Sequence, residues 1–213
     1  MQNSNNFEIE KILLENNIQI YGFTRLNSIK KIPSGLGFAK YFVLRKFKYA
    51  VVFGIPLVGF HSNKEGNAKN MVLESIANEI LELFEKKHKL ALIIHPEDEV
   101  NPIKRVGLFS LKVLAKEAGI GWQGKSLLVI SPEFGAIHRL IAILTDMELS
   151  TTKKIENQCG DCSLCIINCP RSALKNASYK NYPKKRNEVI DIDKCLGDFG
   201  CKVCLEICPW NKK

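Results

Sequence analysis

Apolar residues along the first 150 positions recur with two periods, one typical of helices and one typical of strands. Residues 68–87 give the clearest helical pattern, because their apolar positions share one side while most Glu and Lys lie opposite. Residues 7–16 predict a second helix after an Asn/Ser cluster that can cap it, and residues 108–118 predict a third. The apolar positions of the clearest helix are Val72, Leu73, Ile76, Ile80, Leu83 and Phe84.

Short apolar runs between these helices predict strands. Residues 18–23 alternate with period two, whereas residues 49–55 form a continuous apolar run closed by Pro56, which suits a strand buried on both faces. Further strands are expected at residues 90–94, 126–130 and 138–144. Helical and strand segments therefore alternate, which predicts an α/β layered domain in which helices cover a sheet.

The texture of the sequence changes after about residue 150. Segments become short, prolines recur, and all eight cysteines of the 213 residues lie in this part. We therefore predict two domains, an α/β domain at residues 1–152 and a small module at residues 153–213 whose fold depends on metal more than on apolar burial.

The cysteines fall into two runs that each end in Cys-Pro. The first run has the spacing of the bacterial ferredoxin motif, and the second keeps its C-x2-C-x3-C-P ending with the first cysteine displaced outward. Four ligands per cluster use all eight cysteines, so we predict two [4Fe–4S] clusters. The ligands are Cys159, Cys162, Cys165 and Cys169 in the first run and Cys195, Cys201, Cys204 and Cys208 in the second.

Two other uses of the cysteines stay open. Structural zinc also uses C-x2-C pairs, but it does not explain three cysteines at two-residue spacing with a fourth before proline, nearly twice. Disulfides need an oxidising compartment, and the N-terminus shows no basic region followed by an apolar stretch that would mark a signal peptide. We expect a cytoplasmic location.

The composition favours anionic partners and excludes a membrane span. The longest nearly apolar run, residues 49–60, is interrupted by glycine and proline and is shorter than the roughly 20 residues that a span needs. The formal net charge is +9, and two oxidised clusters would lower it to about +5. RNA or an acidic electron donor would suit such a surface. The basic run Lys184-Lys185-Arg186 is more typical of a solvated loop than of a binding site.

The segment at residues 119–126, GIGWQGKS, matches two phosphate-binding patterns, G-x4-G-K-[ST] and G-x-G-x-x-G. Both patterns need a strand before the loop and a helix after it. Here a predicted helix precedes the loop, Gly119 suits its C-terminal cap, and an apolar run followed by Ser131-Pro132 leaves no room for a helix. We therefore expect no nucleotide site, and two explanations of the glycines stay open: a tight turn, or a wall of a cofactor site.

Several segments resemble the epoxyqueuosine reductases. They include residues 114–128, 131–135 and 144–146, both cysteine runs and the closing residues 208–211. The resemblance implies a cobalamin-binding α/β domain joined to a ferredoxin-like module with two [4Fe–4S] clusters, related also to reductive dehalogenases. It implies that the clusters reduce cobalt and that the low-valent cobalamin reduces the substrate.

The resemblance also implies site residues. One cluster would be held by Cys159, Cys162, Cys165 and Cys208, and the other by Cys169, Cys195, Cys201 and Cys204. The glycine loop would lie against the corrin, which makes its polar and aromatic members candidate cofactor contacts. These contacts are Gly119, Gly121, Trp122, Gly124, Lys125 and Ser126.

Two departures from the family make its tRNA substrate less expected. The segment that aligns with the family's catalytic aspartate holds Arg105-Val106, with Asp98 and Glu99 farther upstream. An arginine does not act as a general acid near neutral pH. Many relatives also continue into a helical-repeat domain, which is not expected here because the sequence stops at Lys213. The catalytic residues therefore stay unassigned.

The function with the most support is a corrinoid-dependent reductase of an unidentified small-molecule or cofactor substrate, fed by an external low-potential electron donor. The alternative is an electron-transfer or activating protein that reduces a partner's cofactor and has no substrate of its own. An RNA-binding reductase acting on tRNA depends on the basic charge alone. Of the four histidines, which are expected to be packed or exposed, His95 and His138 lie at or in predicted strands.

Overall fold

The computed structural model describes residues 4–29, 32–57, 63–96, 98, 105–176 and 186–211, with the backbone alone at residues 63–65 and 198–199. His61, Glu99 and the Lys184-Lys185 pair, all considered above, lie outside the described residues. None of the helices in the described part combines the length and hydrophobicity that a bilayer-spanning segment needs.

A four-stranded antiparallel sheet forms the centre of the N-terminal part. Its strands are β1 (Ile20–Arg25), β2 (Tyr49–Pro56), β3 (Ala91–Ile94) and β6 (His138–Thr145), in the order β1-β2-β6-β3. In the register of the ladder, Phe23 faces Val51, and Phe53 faces Ile141. The predicted strands at 18–23, 49–55, 90–94 and 138–144 are confirmed within two residues at each end.

Both faces of the sheet are covered, which explains the continuous apolar runs of β2 and β6. Val51 and Phe53 pack in a cluster with helices α1 (Ser4–Glu15) and α3 (Asn63–Lys86), whereas Ala50 and Val52 pack on the other face with α4 (Leu111–Glu117). Alternate side chains of a strand point to opposite faces, so successive positions of these strands are buried, except for the half-buried ends at Ile55-Pro56 and His138-Arg139. The α/β layered architecture is confirmed, and its sheet is antiparallel throughout the described residues.

Helix α3 confirms the predicted helix at 68–87, with one difference. Leu73, Ile76, Ile80 and Phe84 are buried, but Val72 is 47% exposed. Val72 lies at the edge of the apolar stripe, about 70° from its centre at 100° per residue. At that angle its side chain faces solvent.

The predicted helix at 108–118 is shorter and the predicted strand at 126–130 is reduced to two residues. Helix α4 begins at Leu111 because the Ser110 hydroxyl accepts a hydrogen bond from the Val113 N–H, as an N-cap does. Strand β5 (Val129–Ile130) pairs with β4 (Trp122–Gln123), and Leu127 adopts a φ of +63°, which ends any extended run before it. A small hairpin thus follows α4.

The cysteine-containing part consists of short elements packed beside the sheet domain. These elements are the helices α5 (Leu164–Ile167), α6 (Gly197–Gly200) and α7 (Val203–Glu206). One further helix, α2 (Lys40–Lys46), belongs to the N-terminal part. Short 3-10 helices lie at Leu26–Ser28, Gly37–Ala39 and Arg186–Glu188. The chain enters this part along β1, where the Thr152 N–H donates to the Phe23 carbonyl at 2.9 Å. The division between residues 152 and 153 stays a prediction.

Candidate metal centre and adjoining cavity

All eight cysteines are free thiols and half-buried, and two short helices bring their inner members together. Cys165 lies on α5 and Cys204 on α7, and these two helices are in contact. The apolar cluster beneath them consists of Leu127, Ala173, Leu174, Val189 and Ile190. The cysteines therefore line the interior of the module.

The thiols of the first run lie close to a thiol of the second. Burial is the largest of the effects that raise the pKa of Cys165 to about 11, followed by the neighbouring charges of Cys159, Cys204, Cys162 and Cys208 in that order. Burial also raises the pKa of Cys208, where a hydrogen bond from the Trp210 backbone opposes the charges of Cys159 and Cys162. Cys208 of the second run thus groups with Cys159, Cys162 and Cys165.

The thiols of the second run show the reciprocal arrangement. Burial and, after it, the charges of Cys195, Cys201 and Cys169 raise the pKa of Cys204 to about 11, whereas Lys112 opposes them. Cys169 of the first run therefore groups with the second-run cysteines. Each group would gather several thiolates in a half-buried space, and positively charged iron is the type of centre that offsets such repulsion.

Hydrogen-bond donors point at the outer sulfurs. Burial raises the pKa of Cys169, but backbone N–H groups of residues 171–174 outweigh this effect and lower it. One of them, the Ala173 N–H, lies 3.2 Å from Cys169 Sγ. The indole N–H of buried Trp122 donates to Cys159 Sγ at 3.4 Å. Donors of this kind stabilise thiolates, the form in which cysteine binds a cluster.

The donor set fits two four-iron clusters. It offers two groups of four thiols with N–H donors aimed at sulfur. Among the described residues, no group of three or more His, Cys, Asp or Glu side chains surrounds the position of a single metal ion. A cluster differs from a lone zinc ion in that its thiolates stand around a cage and not within about 2.3 Å of one metal.

A cavity of about 440 Å³ adjoins the module on the side of α4 and the start of β6. Its walls combine apolar residues from both parts of the chain with basic residues and one described carboxylate, Asp98. Leu205, the residue after Cys204, also lines it. The other polar lining residues are His95, Arg105, Ser110, Lys112, Gln123, His138, Arg139 and Arg186.

Several polar atoms on this wall are buried without a hydrogen-bond partner among the described residues: Gln123 Oε1, His138 Nδ1 and Arg139 Nε. Burial lowers the pKa of His138 to about 4, against a smaller effect of its hydrogen bond to the Gly135 backbone, so its imidazole is neutral near pH 7. His95 differs, because its Nε2 lies 3.4 Å from the Glu74 carboxylate, although not in hydrogen-bond geometry.

The glycine loop reaches this cavity through residues other than those expected. An added Cβ at Gly119 would lie 2.3 Å from the Lys153 carbonyl oxygen, at Gly121 2.1 Å from the Ile130 carbonyl oxygen, and at Gly124 2.4 Å from the Ile130 side chain. Gly119 also has a φ of +72°, which suits the helix end. Close packing within the protein thus accounts for these glycines.

The other expected contacts of this loop also lie off the cavity wall. Trp122 packs against Trp210, with ring centroids 4.7 Å apart at 80°. Ser126 is buried and Lys125 half-buried, and neither is on the described lining. Gln123 of this loop lines the cavity, together with Leu127, Leu128 and Val129 directly after the loop. The hairpin that follows α4 also confirms that no phosphate-binding helix follows the loop.

Arg105 connects the cavity to the second cysteine group. Its Nη1 donates to the Cys195 carbonyl at 2.8 Å, and its own carbonyl accepts from Arg186 at 3.3 Å. Its φ of +47° is a left-handed conformation that is uncommon for a residue with a side chain. Arg105 therefore occupies the cavity mouth where the resemblance implied an aspartate, and it contacts the backbone of a cysteine.

Sequence reasoning missed the polar part of the cavity wall. Gln123 lies inside the segment that was singled out, and Arg139 follows His138 in an otherwise apolar strand. A charged residue in such a strand was the available signal. Lys112 and Arg186 carried no such signal, because basic residues are common on helix surfaces and in loops.

Comparison with known proteins agrees with this geometry. Residues 158–212 match the family model described as a 4Fe-4S dicluster domain. The epoxyqueuosine reductase of Bacillus cereus is 32% identical over 127 residues, which cover 55% of this chain and 33% of the relative. The chain thus spans about a third of the length of the curated relatives it matches.

Solved structures share the fold of nearly the whole chain. The epoxyqueuosine reductase from Streptococcus thermophilus superposes with a TM-score of 0.66 at 20% identity, covering 98% of this chain and 66% of that one. A reductive dehalogenase, described with a mechanism for B12-dependent dehalogenation, gives a TM-score of 0.69 at 16% identity, covering 96% and 32%. The chain is therefore similar to epoxyqueuosine reductases in part of its sequence and in its fold, and it combines an α/β fold with a 4Fe-4S dicluster domain at residues 158–212.

Proposed function

We propose that this protein is an oxidoreductase that passes electrons through two [4Fe–4S] clusters to a cofactor of corrinoid type in the cavity, for the reduction of an unidentified substrate. The observation that carries the proposal is that the second cysteine group and the cavity share a wall. Leu205 lines the cavity beside Cys204, and Arg105 joins the cavity mouth to Cys195. Electrons leaving this group would enter the cavity directly.

The two cysteine groups would form a short path for electrons. Cys165 and Cys204 belong to different groups. The two thiols are nevertheless close, because the charge of Cys204 raises the pKa of Cys165. A donor protein would reduce the first group, held by Cys159, Cys162, Cys165 and Cys208. The second group, held by Cys169, Cys195, Cys201 and Cys204, would then deliver electrons to the cavity.

The cavity wall suits a corrinoid in part of its surface. A corrinoid has an apolar macrocycle with amide groups at its edge, and it would supply the reducing centre when bound. Leu127, Leu128 and Val129 would pack against the macrocycle. Support for this cofactor comes from the B12-dependent relative and from this apolar part of the wall.

Proton delivery would differ from that implied by the resemblance. Arg105 stays protonated and does not give up a proton at neutral pH. Asp98 is the carboxylate on the described cavity wall. Its Oδ2 accepts a hydrogen bond from the backbone N–H of His95 at 2.9 Å. We propose that Asp98 takes part in proton delivery to the substrate.

The second candidate function is an electron-transfer or activating protein that reduces a partner's cofactor. The absence of an aspartate at position 105 favours it. A relative of known structure was solved with an epoxyqueuosine-modified tRNA stem loop, and the net charge of +9 would suit RNA. Retention of tRNA by this protein at low salt, lost as salt rises, would support a tRNA substrate.

Titration with hydroxocobalamin tests the cofactor. The protein is reconstituted anaerobically with iron and sulfide, and the corrin absorption spectrum is followed. We expect saturable binding that is weakened in Leu128→Glu, and unchanged in Arg45→Gln, whose side chain is exposed on α2. An unchanged spectrum with wild type would contradict a corrinoid site. Loss in Lys125→Met with normal binding in Leu128→Glu would locate the corrinoid at the glycine loop instead.

A further inference from the structure

Unpaired polar atoms are concentrated on the wall of the cavity. Gln123 Oε1, His138 Nδ1 and Arg139 Nε are each buried without a hydrogen-bond partner among the described residues, and all three residues line this space. Leaving one such atom unpaired costs roughly 1–3 kcal/mol. Three of them on one wall indicate that a bound molecule supplies the missing partners.

Two of these atoms are hydrogen-bond acceptors. The Gly135 carbonyl fixes one ring nitrogen of His138 as the donor, and because the imidazole is neutral the other nitrogen, Nδ1, is an acceptor. The Gln123 amide nitrogen donates to the Leu127 carbonyl at 3.3 Å, which orients Oε1 as the free end. A ligand therefore has to present N–H or O–H groups to this part of the wall.

The third atom is a donor that carries a positive charge. Arg139 Nε is buried, and the guanidinium packs against Gly66, where an added Cβ would lie 2.9 Å from its Nη2. No carboxylate of the described residues forms an ion pair with Arg139. An arginine held in this way binds carboxylate or phosphate oxygens more strongly than neutral acceptors.

The rest of the wall agrees with an anion that has an apolar body. Arg105, Lys112 and Arg186 add three positive charges to the wall. The carboxylate of Asp98 accepts a hydrogen bond from the backbone N–H of His95. Apolar side chains such as Phe109, Leu111 and Leu140 complete the lining. A volume of about 440 Å³ lies in the usual range for a small organic ligand.

We infer that the cavity binds an organic anion that carries a carboxylate or phosphate group for Arg139 and an N–H or O–H donor for His138 and Gln123. This inference rests on the proposed function, since the anion would be the molecule that the reducing cofactor acts on. The side chains of Arg139, His138 and Gln123 would then select the chemical class of the substrate.

Calorimetric titration of the reconstituted protein with matched probes tests the inference. The probes are 4-aminobenzoate, which has both features, benzoate, which lacks the donor, and benzamide, which lacks the charge, with 4-aminophenyl phosphate as the phosphate counterpart. We expect 4-aminobenzoate or its phosphate counterpart to bind most tightly, and benzamide least. Which of the two anions binds more tightly decides between a carboxylate and a phosphate.

Variants assign the effect to residues. Arg139→Gln should weaken both carboxylates about tenfold or more, as loss of a charge-assisted hydrogen bond does, and leave benzamide unchanged. Arg139→Lys should restore part of the loss. His138→Phe should abolish the advantage of 4-aminobenzoate over benzoate. Arg45→Gln, an exposed arginine on α2, is the control and should bind as wild type does.

Three results would overturn the inference: equal binding of benzamide and benzoate, no effect of Arg139→Gln, or no binding of any probe. Titrations are repeated with hydroxocobalamin bound, because a corrinoid carries amide and phosphate groups of the same kind. Continued binding supports a substrate site, and complete competition assigns the three side chains to the corrinoid and overturns a separate anion. The iron and sulfide contents of the same samples show independently whether the clusters are present. Samples without clusters would contradict the proposed function and not only the anion site.

Discussion

Trp122 connects the α/β domain to the first cysteine group through one hydrogen bond. Its indole N–H lies 3.4 Å from Cys159 Sγ, and its ring is 1% exposed. Hydrogen bonds to cluster sulfurs offset the added negative charge of the reduced state and so raise the reduction potential. The same residue was a candidate cofactor contact, and in the structure its ring packs against Trp210.

Replacing Trp122 by Phe should therefore lower the potential of one cluster, by an amount on the order of tens of millivolts for the loss of one hydrogen bond. A redox titration followed by electron paramagnetic resonance measures it. Trp210→Phe is the matched control, because that residue contributes its backbone, not its indole, to Cys208. An equal shift in both variants, or no shift in Trp122→Phe, would contradict this role.

His138 should make stability depend on pH. Burial lowers its pKa from 6.5 to about 4, so between these values the unfolded chain binds a proton that the folded protein does not. Stability is then full above about pH 6.5 and falls as the pH drops toward 4, by at most roughly 3 kcal/mol. In His138→Phe this dependence should be absent. Urea unfolding followed by circular dichroism at pH 5, 6 and 7 compares the two proteins, and parallel pH profiles would refute the assignment.

At the scale of elements, the hairpin after α4 is held by close backbone contact. An added Cβ at Gly121 would lie 2.1 Å from the Ile130 carbonyl oxygen, a distance that no packing accommodates without moving β5. Gly121→Ala should therefore destabilise the protein by several kcal/mol, as a forced backbone shift in a packed core does. Gly37→Ala, at a site with open space but a φ of +56°, should cost only about 1 kcal/mol.

Thermal unfolding of the two glycine variants measures this difference. A Gly121→Ala protein that is as stable as Gly37→Ala but has lost affinity for hydroxocobalamin would show that the glycine faces a cofactor. A destabilised Gly121→Ala protein would show that it serves the packing of the hairpin.

We propose that the last cysteine of each run, Cys169 or Cys208, belongs to the group of the other run, and double substitutions test this arrangement. Cys208→Ser should remove about half of the iron, and adding Cys159→Ser should remove no more, because both belong to one group. Cys208→Ser combined with Cys195→Ser should remove nearly all of it. Iron and sulfide contents of the reconstituted proteins provide the measurement. The opposite pattern would mean that each run of cysteines holds its own cluster.

At the scale of the whole molecule, periodicity in the sequence was sufficient for the main elements. Strands β2 and β6 are covered on both faces, so their apolar runs were unmistakable. The antiparallel order was not readable, because a strand buried on both faces has the same composition in either kind of sheet. Cysteine spacing indicated the iron–sulfur module, because the geometry of cluster ligands fixes the spacing of cysteines more tightly than core packing fixes the choice of apolar residues.

The cavity was less accessible to sequence reasoning. Its walls come from distant segments, such as Gln123 in the hairpin, Arg139 in β6 and Leu205 in α7, which only the fold brings together. The glycines pack closely within the protein, whereas their neighbour Gln123 lines the cavity, and contact of the glycines with a cofactor stays a prediction. A resemblance carries motifs, but it does not say which side of a loop faces a ligand.

We propose that electrons pass from the clusters into the cavity, and rapid mixing measures this transfer. The reconstituted protein is reduced, freed of reductant and mixed anaerobically with hydroxocobalamin. Cluster absorption should recover at the rate at which the corrin spectrum changes, and Cys204→Ser, which removes the group beside the cavity, should slow both. Clusters that stay reduced beside an unchanged corrin spectrum, or a Cys204→Ser protein as fast as wild type, would contradict it.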